Sequence, residues 1–191
     1  MNNSKNVRSM SIRSIVSYYA TKDHSSKAIY TNPALISVGN ALISLGLGDT
    51  EITIECQSGV TPNRGSFAEI ATRMLVSAIL EDNNENALEN TTLKAQRGKA
   101  DIDLSGVNAD ERKALGLDFK GGLIEVKYAN SNTKASEIEN PKTTKVLLLT
   151  QNGYSLVKRE KLIIDPKTRK IFAKSEKNGR VCHLLNEYAG F

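Results

Sequence analysis

Cysteine and histidine are scarce in this 191-residue chain, which contains two of each. The cysteines, Cys56 and Cys182, are too few for a disulfide framework, and neither belongs to a Cys-x-x-Cys pair. We therefore expect two free thiols in the core, with a single disulfide between them as the alternative. The histidines, His24 and His183, are too few for a zinc site built on imidazole ligands.

Long apolar runs are also missing. No window approaches the 18 consecutive apolar residues of a membrane-spanning helix. The start, Met1–Arg8, does not lead into the apolar block of a signal peptide, so a cytoplasmic location is expected. With 39% hydrophobic and 25% charged residues, the chain has the composition of a soluble globular protein of about one domain's length.

The formal net charge of +5 is unevenly distributed. Residues 1–30 carry five basic side chains against one acid, and residues 134–191 carry twelve against six. Residues 69–127 are acidic instead, with eleven acids against eight bases. Basic flanks around an acidic centre are typical of a phosphate-binding surface with a cation-binding middle, although solvated surfaces also show such asymmetry.

Periodicity and turn signals predict the order of the elements. Helices are predicted at 5–21, 34–45, 66–80, 108–115 and 132–140, and strands at 51–56, 91–96, 100–104, 123–129, 145–151 and 154–158. A second hairpin pairs 162–165 with 170–174, and the tail 181–188 is either a strand or a helix. This order predicts an α/β fold with a central mixed sheet flanked by helices and with β-hairpins at the C-terminal end. Residues 1–60 are expected to form a helical, basic arm packed on a core of residues 61–191, or the two parts form one single domain.

The strand predicted at 123–129 carries an unusual charged pair, Glu125 and Lys127, within an apolar run. Residues two apart on a strand point to the same face, so the carboxylate and the ammonium emerge side by side. Asp103 lies 22 residues earlier, on the preceding predicted strand. Carboxylates on neighbouring strands can share one divalent cation, because adjacent strands lie about 4.8 Å apart.

An acid on one strand and Glu-x-Lys on the next provide the groups that metal-assisted phosphodiester hydrolysis needs. Magnesium prefers oxygen ligands, which Asp103, Glu125 and the backbone carbonyl of Val126 could supply. Lys127 would place a positive charge against the attacking water or the phosphate.

This pattern resembles that of the PD-(D/E)xK nucleases, the restriction-endonuclease-like superfamily, over about residues 65–151. The resemblance implies a fold of that type, Mg²⁺ (or Mn²⁺) as cofactor, and a homodimer that binds DNA. It implies that Asp103 and Glu125 are the metal-binding acids and that Lys127 is the catalytic lysine. The Asp-Ile-Asp-Leu and Ile-Glu-Val-Lys segments also look like those of small bacterial members and archaeal Holliday-junction resolvases, in which a helix glutamate, here Glu69, often joins the metal ligands.

The first acid remains open between two residues. The proline that usually precedes it is absent, since Ala100 precedes Asp101 and Ile102 precedes Asp103. We favour Asp103 because it leads directly into the turn, with Asp101 as a second metal ligand or as the alternative. Glu69 has an equal alternative role, since Ser66 and Glu69 have the spacing of a capping box.

The sequence therefore predicts a Mg²⁺-dependent endonuclease, with DNA favoured over RNA. An RNA-cleaving toxin or a junction resolvase of the same fold is the first alternative. A non-catalytic nucleic-acid-binding or assembly protein is the second. The simplest alternative for Glu125 and Lys127 is a surface ion pair on a half-solvated strand, which would contribute little to stability.

Overall fold

The computed structural model describes residues 6–24, 28–57, 59–83, 102–104, 107–117, 122–128, 145–158, 163–164, 167, 171–172 and 179–191. Its helices are α1 (Ile12–Thr21), α2 (Ala28–Leu42), α3 (Arg64–Asn83), α4 (Ala109–Ala114) and α5 (His183–Ala189). Its strands are β1 (Val7–Ser11), β2 (Glu51–Gln57), β3 (Thr61–Pro62), β4 (Ile102–Asp103), β5 (Leu123–Tyr128), β6 (Lys145–Thr150), β7 (Gly153–Lys158), β8 (Ile163–Ile164), β9 (Ile171–Phe172) and β10 (Arg180–Val181). The strand predicted at 91–96 and the helix predicted at 132–140 lie outside the described residues.

The first described segment is a strand, so the helix predicted at 5–21 is wrong over its first third. β1 pairs antiparallel with β2, from Val7 opposite Glu55 to Ser11 opposite Glu51. Helix α1 begins only at Ile12, where the Ser11 hydroxyl accepts a hydrogen bond from the Ser14 N–H. The partner that fixes β1 is some 45 residues away along the chain, which a local periodicity cannot detect.

Helix α2 begins at Ala28 and contains Pro33, whereas the sequence predicted a start after that proline. Pro33 is exposed in the second turn, where one missing backbone hydrogen bond can be replaced by water. A π-helical turn, Ile43–Leu47, follows α2 and ends the helical region at Gly46, whose φ is 83°.

Helix α3 runs from Arg64 to Asn83, longer than predicted at both ends. The Asn63 side chain accepts a hydrogen bond from the Ser66 N–H at 2.9 Å, and the Asn63 carbonyl accepts one from the Phe67 N–H. Asn63 therefore caps the helix and Ser66 lies in its first turn. The predicted capping box of Ser66 and Glu69 is wrong, because both residues lie inside the helix.

The larger sheet has the strand order β10-β7-β6-β5-β4. β5 and β6 are parallel, and the other neighbouring pairs are antiparallel. The prediction of a mixed sheet with helices around it is confirmed at this level. The hairpin predicted at Asn152–Gly153 is confirmed, with its turn one residue earlier at Gln151–Asn152, because Thr150 pairs with Gly153. The φ of Gly153 is 102°, which favours glycine.

Short strands and helices bear on the predictions that remain for the C-terminal hairpin, the tail and α4. β8 and β9 pair antiparallel, as expected of the hairpin predicted at 162–174. The tail contains both of the structures that the sequence left open, since β10 pairs with β7 and α5 follows. Helix α4 begins with the predicted Asn108 cap, where the side chains of Asn108 and Glu111 form a reciprocal capping box.

One apolar cluster joins the helices to the larger sheet. It includes Ile15 of α1, Leu35 of α2, Leu75 of α3, Val126 of β5 and Leu185 of α5. A second, smaller cluster, Val146, Leu148 and Val157, lies on the other face of the sheet. Both cysteines are free, as predicted, and Cys182 is fully buried while Cys56 is half-buried. Among the described residues, no helix is long and apolar enough to cross a membrane.

Candidate functional site

Strand β5 separates its side chains onto two different faces of the sheet. Ile124, Val126 and Tyr128 belong to the main apolar cluster, which also contains the buried residues of α3. Glu125 and Lys127 alternate with them and therefore lie on the other face. Their register partners on β6 are Val146 and Leu148, which form the smaller apolar cluster.

Glu125 and Lys127 form the ion pair that the sequence predicted. The Lys127 Nζ lies 2.7 Å from Glu125 Oε1, and the side chains are only 10% and 12% exposed. A half-solvated surface pair is therefore the wrong description. Removing two charges from water is costly, and mutual attraction offsets that cost only when the geometry is close.

Asp103 lies on β4, the strand next to β5, as the sequence predicted. It is the register partner of Leu123, two residues before Glu125 along β5. Direct partners in an antiparallel pair share a face, so Asp103, Glu125 and Lys127 occupy positions on one face of the sheet. Diagonal positions of this kind are separated by about 7–8 Å. The side chain of Asp103 and all of Asp101 lie outside the described residues.

The backbone carbonyl of Val126 points towards the edge of β5 that faces β4. The Gly122 carbonyl accepts a hydrogen bond from the Leu104 N–H, so Gly122 directs its polar groups to that edge. Backbone groups on a strand alternate between its two edges, so Val126, four residues on, faces the same edge. This is the edge at which Asp103 lies.

Glu69 is carried by α3, the helix on the opposite side of the sheet from the Glu125–Lys127 pair. It is half-buried, and it lies four residues before the buried Arg73 on the same side of the helix. The predicted apolar stripe of α3 is only partly inside, since Phe67 and Leu75 are buried while Met74 is half-buried. Thr72, Arg73 and Ser77 are buried instead, so Glu69 does not lie opposite a simple apolar face.

A polar cluster that sequence reasoning missed holds the start of α3. Arg64 forms an ion pair with Asp23, and Arg64 Nε also donates to Asn32 Oδ1 at 3.0 Å. The Tyr19 hydroxyl, in turn, donates to the Pro62 carbonyl at 3.2 Å. Burial raises the pKa of Tyr19 well above its usual value, and the nearby Arg64 guanidinium lowers it less. These residues are separated by up to 43 positions, so no sequence motif links them.

The candidate metal ligands on β4 and β5 are all oxygen atoms. Oxygen ligands suit a hard divalent cation better than zinc. Within the described part of the chain, no three side chains of His, Cys, Asp or Glu come close enough together to hold a metal ion. Glu125, the Val126 carbonyl and the position of Asp103 nonetheless provide the kinds of groups that magnesium accepts.

The chain matches no known family, curated protein or solved structure.

Proposed function

We propose that this protein is a metal-dependent nuclease, a DNA endonuclease of the PD-(D/E)xK type. The proposal depends on one observation above all. A glutamate and a lysine form a nearly buried ion pair on β5, beside the strand that carries Asp103. A strand with only a structural role is often as stable, or more so, with apolar residues in place of such a pair. The resemblance to the PD-(D/E)xK nucleases gives a functional reason for keeping the ion pair.

Asp103, Glu125 and the Val126 carbonyl would hold a magnesium ion, with Asp101 as a further candidate. Glu69, the other ligand suggested by the sequence, is on α3 at the opposite side of the sheet and is not proposed as a ligand. When bound, the ion supplies positive charge that neutralises the phosphoryl oxygens and favours ionisation of a water molecule. Glu125 has a second task, because its carboxylate is 2.7 Å from the Lys127 ammonium and holds it in place.

Lys127 would provide a positive side-chain charge beside the candidate metal ligands. Its Nζ can donate to a non-bridging phosphate oxygen, or to the water that attacks, as negative charge grows in the transition state. Its low exposure makes this interaction stronger than it would be at a solvated surface, because less water screens it. Val146 and Leu148, on the neighbouring strand, provide an apolar wall beside the pair.

The test is cleavage of supercoiled plasmid DNA in the presence of Mg²⁺ or Mn²⁺. Glu125→Gln and Lys127→Gln should each lower the rate by at least 100-fold, as expected when a group that acts on the transition state is removed. Glu187→Gln and Lys113→Gln, which remove exposed charges of the same types on α5 and α4, should leave it unchanged. Full activity in either site variant would disprove the mechanism.

Further substrates separate the alternatives within the same fold. A four-way DNA junction and a transfer RNA, incubated with the wild-type protein, distinguish a junction resolvase and an RNA-cleaving toxin from a DNA endonuclease. Titration calorimetry with Mn²⁺ provides a readout that does not depend on activity. Nucleic-acid binding without metal binding or cleavage would favour a non-catalytic binding protein instead.

A further inference from the structure

Strand β4, which carries Asp103, is a short strand at the edge of the larger sheet as the structure describes it. It contains only Ile102 and Asp103, and it is the outer neighbour of β5 in the strand order. Its pairing with β5 covers two residues on each strand. A functional side chain must be held within about 0.5 Å of its productive position, so a metal ligand on β4 needs support from beyond this pairing.

The residue after Asp103 is held at both of its backbone polar groups. The Leu104 N–H donates to the Gly122 carbonyl at 2.6 Å, which fixes the peptide plane between Asp103 and Leu104 against the chain that enters β5. The Leu104 carbonyl accepts a hydrogen bond from the Val107 N–H at 3.0 Å, which closes a turn after β4. Two successive peptide planes are therefore restrained directly after Asp103.

The side chain of Arg112, on α4, holds this turn from outside. Its Nη1 donates to the Leu104 carbonyl at 3.3 Å and also to the Val107 carbonyl. One donor group thus binds the residues at both ends of the hydrogen bond that closes the turn. Leu104 and Val107 are buried, so removing the guanidinium would leave their carbonyls with little access to replacement by water.

Helix α4 presents Arg112 from a fixed position. The helix has a reciprocal capping box at its start. Beyond its end, Leu117 is fully buried and its N–H donates to the Arg112 carbonyl at 2.9 Å. Gly116 lies directly against the backbone of Cys182, since an added Cβ would be 3.1 Å from Cys182 Cα. The backbone of Arg112 is therefore anchored to the core, and its side chain can restrain the turn.

We infer that Arg112 is a positioning residue for Asp103. Its guanidinium restrains the turn after β4, and the turn keeps the backbone of Asp103 in register with β5. The inference rests on the proposed function, in which Asp103 is a metal ligand. Replacing a residue that orients a metal ligand typically lowers metal affinity by roughly 10- to 100-fold.

The test measures the dissociation constant for Mn²⁺ by titration calorimetry on the full chain. Arg112→Gln should raise this constant roughly 10- to 100-fold, because the turn loses its donor. Plasmid cleavage should then need a correspondingly higher Mn²⁺ concentration for half of its maximal rate, while the rate at saturating Mn²⁺ stays close to that of the wild type. Arg112→Lys, which keeps a cationic donor at this position, should recover part of the affinity.

Two control variants separate this role from a general loss of charge or stability. Lys113→Gln removes the neighbouring exposed charge on α4. Asn63→Ala removes the cap of α3, far along the chain from the turn. Both variants should bind Mn²⁺ as tightly as the wild type. An equal loss of affinity in Asn63→Ala would assign the effect to stability and overturn the inference.

The outcomes distinguish this inference from the proposed function. An unchanged dissociation constant for folded Arg112→Gln would overturn the inference even if the protein cuts DNA. A loss of Mn²⁺ affinity in Arg112→Gln, with both controls unaffected, would support it even if the wild type cuts no nucleic acid. Wild-type protein that binds no Mn²⁺ would overturn both.

Arg112→Lys provides the decision if Arg112→Gln does not fold. A lysine lacks the planar fork of donors that arginine presents, so it cannot reproduce the same hydrogen bonds. The dissociation constant of Arg112→Lys should therefore be higher than that of the wild type. Equal constants for these two folded proteins would overturn the inference.

Discussion

At the scale of single residues, burial distinguishes Glu125 and Lys127 from ion pairs at the surface of the molecule. The Arg13–Asp49 pair has side chains that are 58% and 89% exposed, so solvent screens it and it contributes little. The Glu125–Lys127 pair is nearly inaccessible at a similar separation. Removing one partner of such a pair leaves a charge that neither water nor an opposite charge compensates fully.

This difference in burial predicts that Glu125 and Lys127 are strongly coupled in their contributions to the free energy of unfolding. Lys127→Met should lower the free energy of unfolding by about 3 kcal/mol, because it leaves the Glu125 carboxylate buried. The double variant Glu125→Gln/Lys127→Met should recover most of that loss. Urea denaturation of the two single variants and the double variant gives the coupling energy from a double-mutant cycle. A coupling energy near zero would mean that the pair is solvated in solution, and the same cycle on Arg13 and Asp49 serves as the control.

At the scale of elements, helix α3 connects the N-terminal sheet to the strand that carries the candidate site. Two contacts hold its first turn, namely the cap by the Asn63 side chain and the ion pair between Arg64 and Asp23. Its buried residues then contact β5 through the main apolar cluster. The cap sets where the helix begins, and the same helix packs against the face of β5 that carries Ile124, Val126 and Tyr128.

Because Asn63 rather than Ser66 caps α3, alanine substitutions at these two positions should differ in their effect on stability. Asn63→Ala should lower stability by about 1 kcal/mol, because the Ser66 N–H loses its acceptor. Ser66→Ala should change stability much less, because Ser66 lies inside the first turn. Thermal or urea denaturation of both variants measures the difference. The opposite order would restore Ser66 as the cap and contradict the structure.

At the scale of the whole molecule, several weak acids are buried in the core in their neutral forms. Burial raises the pKa of Cys182 from 9.0 to about 12. It also raises the pKa of Tyr154 above its usual value of 10.0, although a hydrogen bond with Thr72 opposes the shift. Tyr19 is shifted in the same direction, as described above. In the unfolded chain these groups ionise at their ordinary pKa values.

These shifts predict a loss of stability at alkaline pH. Below pH 9 both states are protonated and the stabilisation is present in full, whereas above it the unfolded chain releases protons that the folded chain retains. Each group can then reduce stability by up to about 1.4 kcal/mol per pH unit until its folded-state pKa is reached. Urea midpoints should therefore fall between pH 9 and pH 11. Tyr154→Phe should weaken this dependence, and a midpoint that is constant over the interval would contradict the argument.

The sequence by itself determined the features that depend on neighbouring residues. Strand alternation placed Glu125 and Lys127 on one face, the Asn-Gly pair located the β6–β7 turn, and Asn108 with Glu111 marked the start of α4. These features follow from local backbone geometry. The same alternation identified Asp103 as a candidate, although only strand pairing could place it beside β5.

The tertiary structure decided everything that depends on distant partners. Val7–Ser11 became a strand because β2 supplies its hydrogen bonds. The charged pair is nearly buried on β5, which lies between β4 and β6 in the folded sheet. The same is true of Lys145 and Lys158, which the register of β6 and β7 places opposite each other. Burial and register depend on residues tens of positions apart, so local patterns can suggest which side chains carry the chemistry but cannot show how they are brought together.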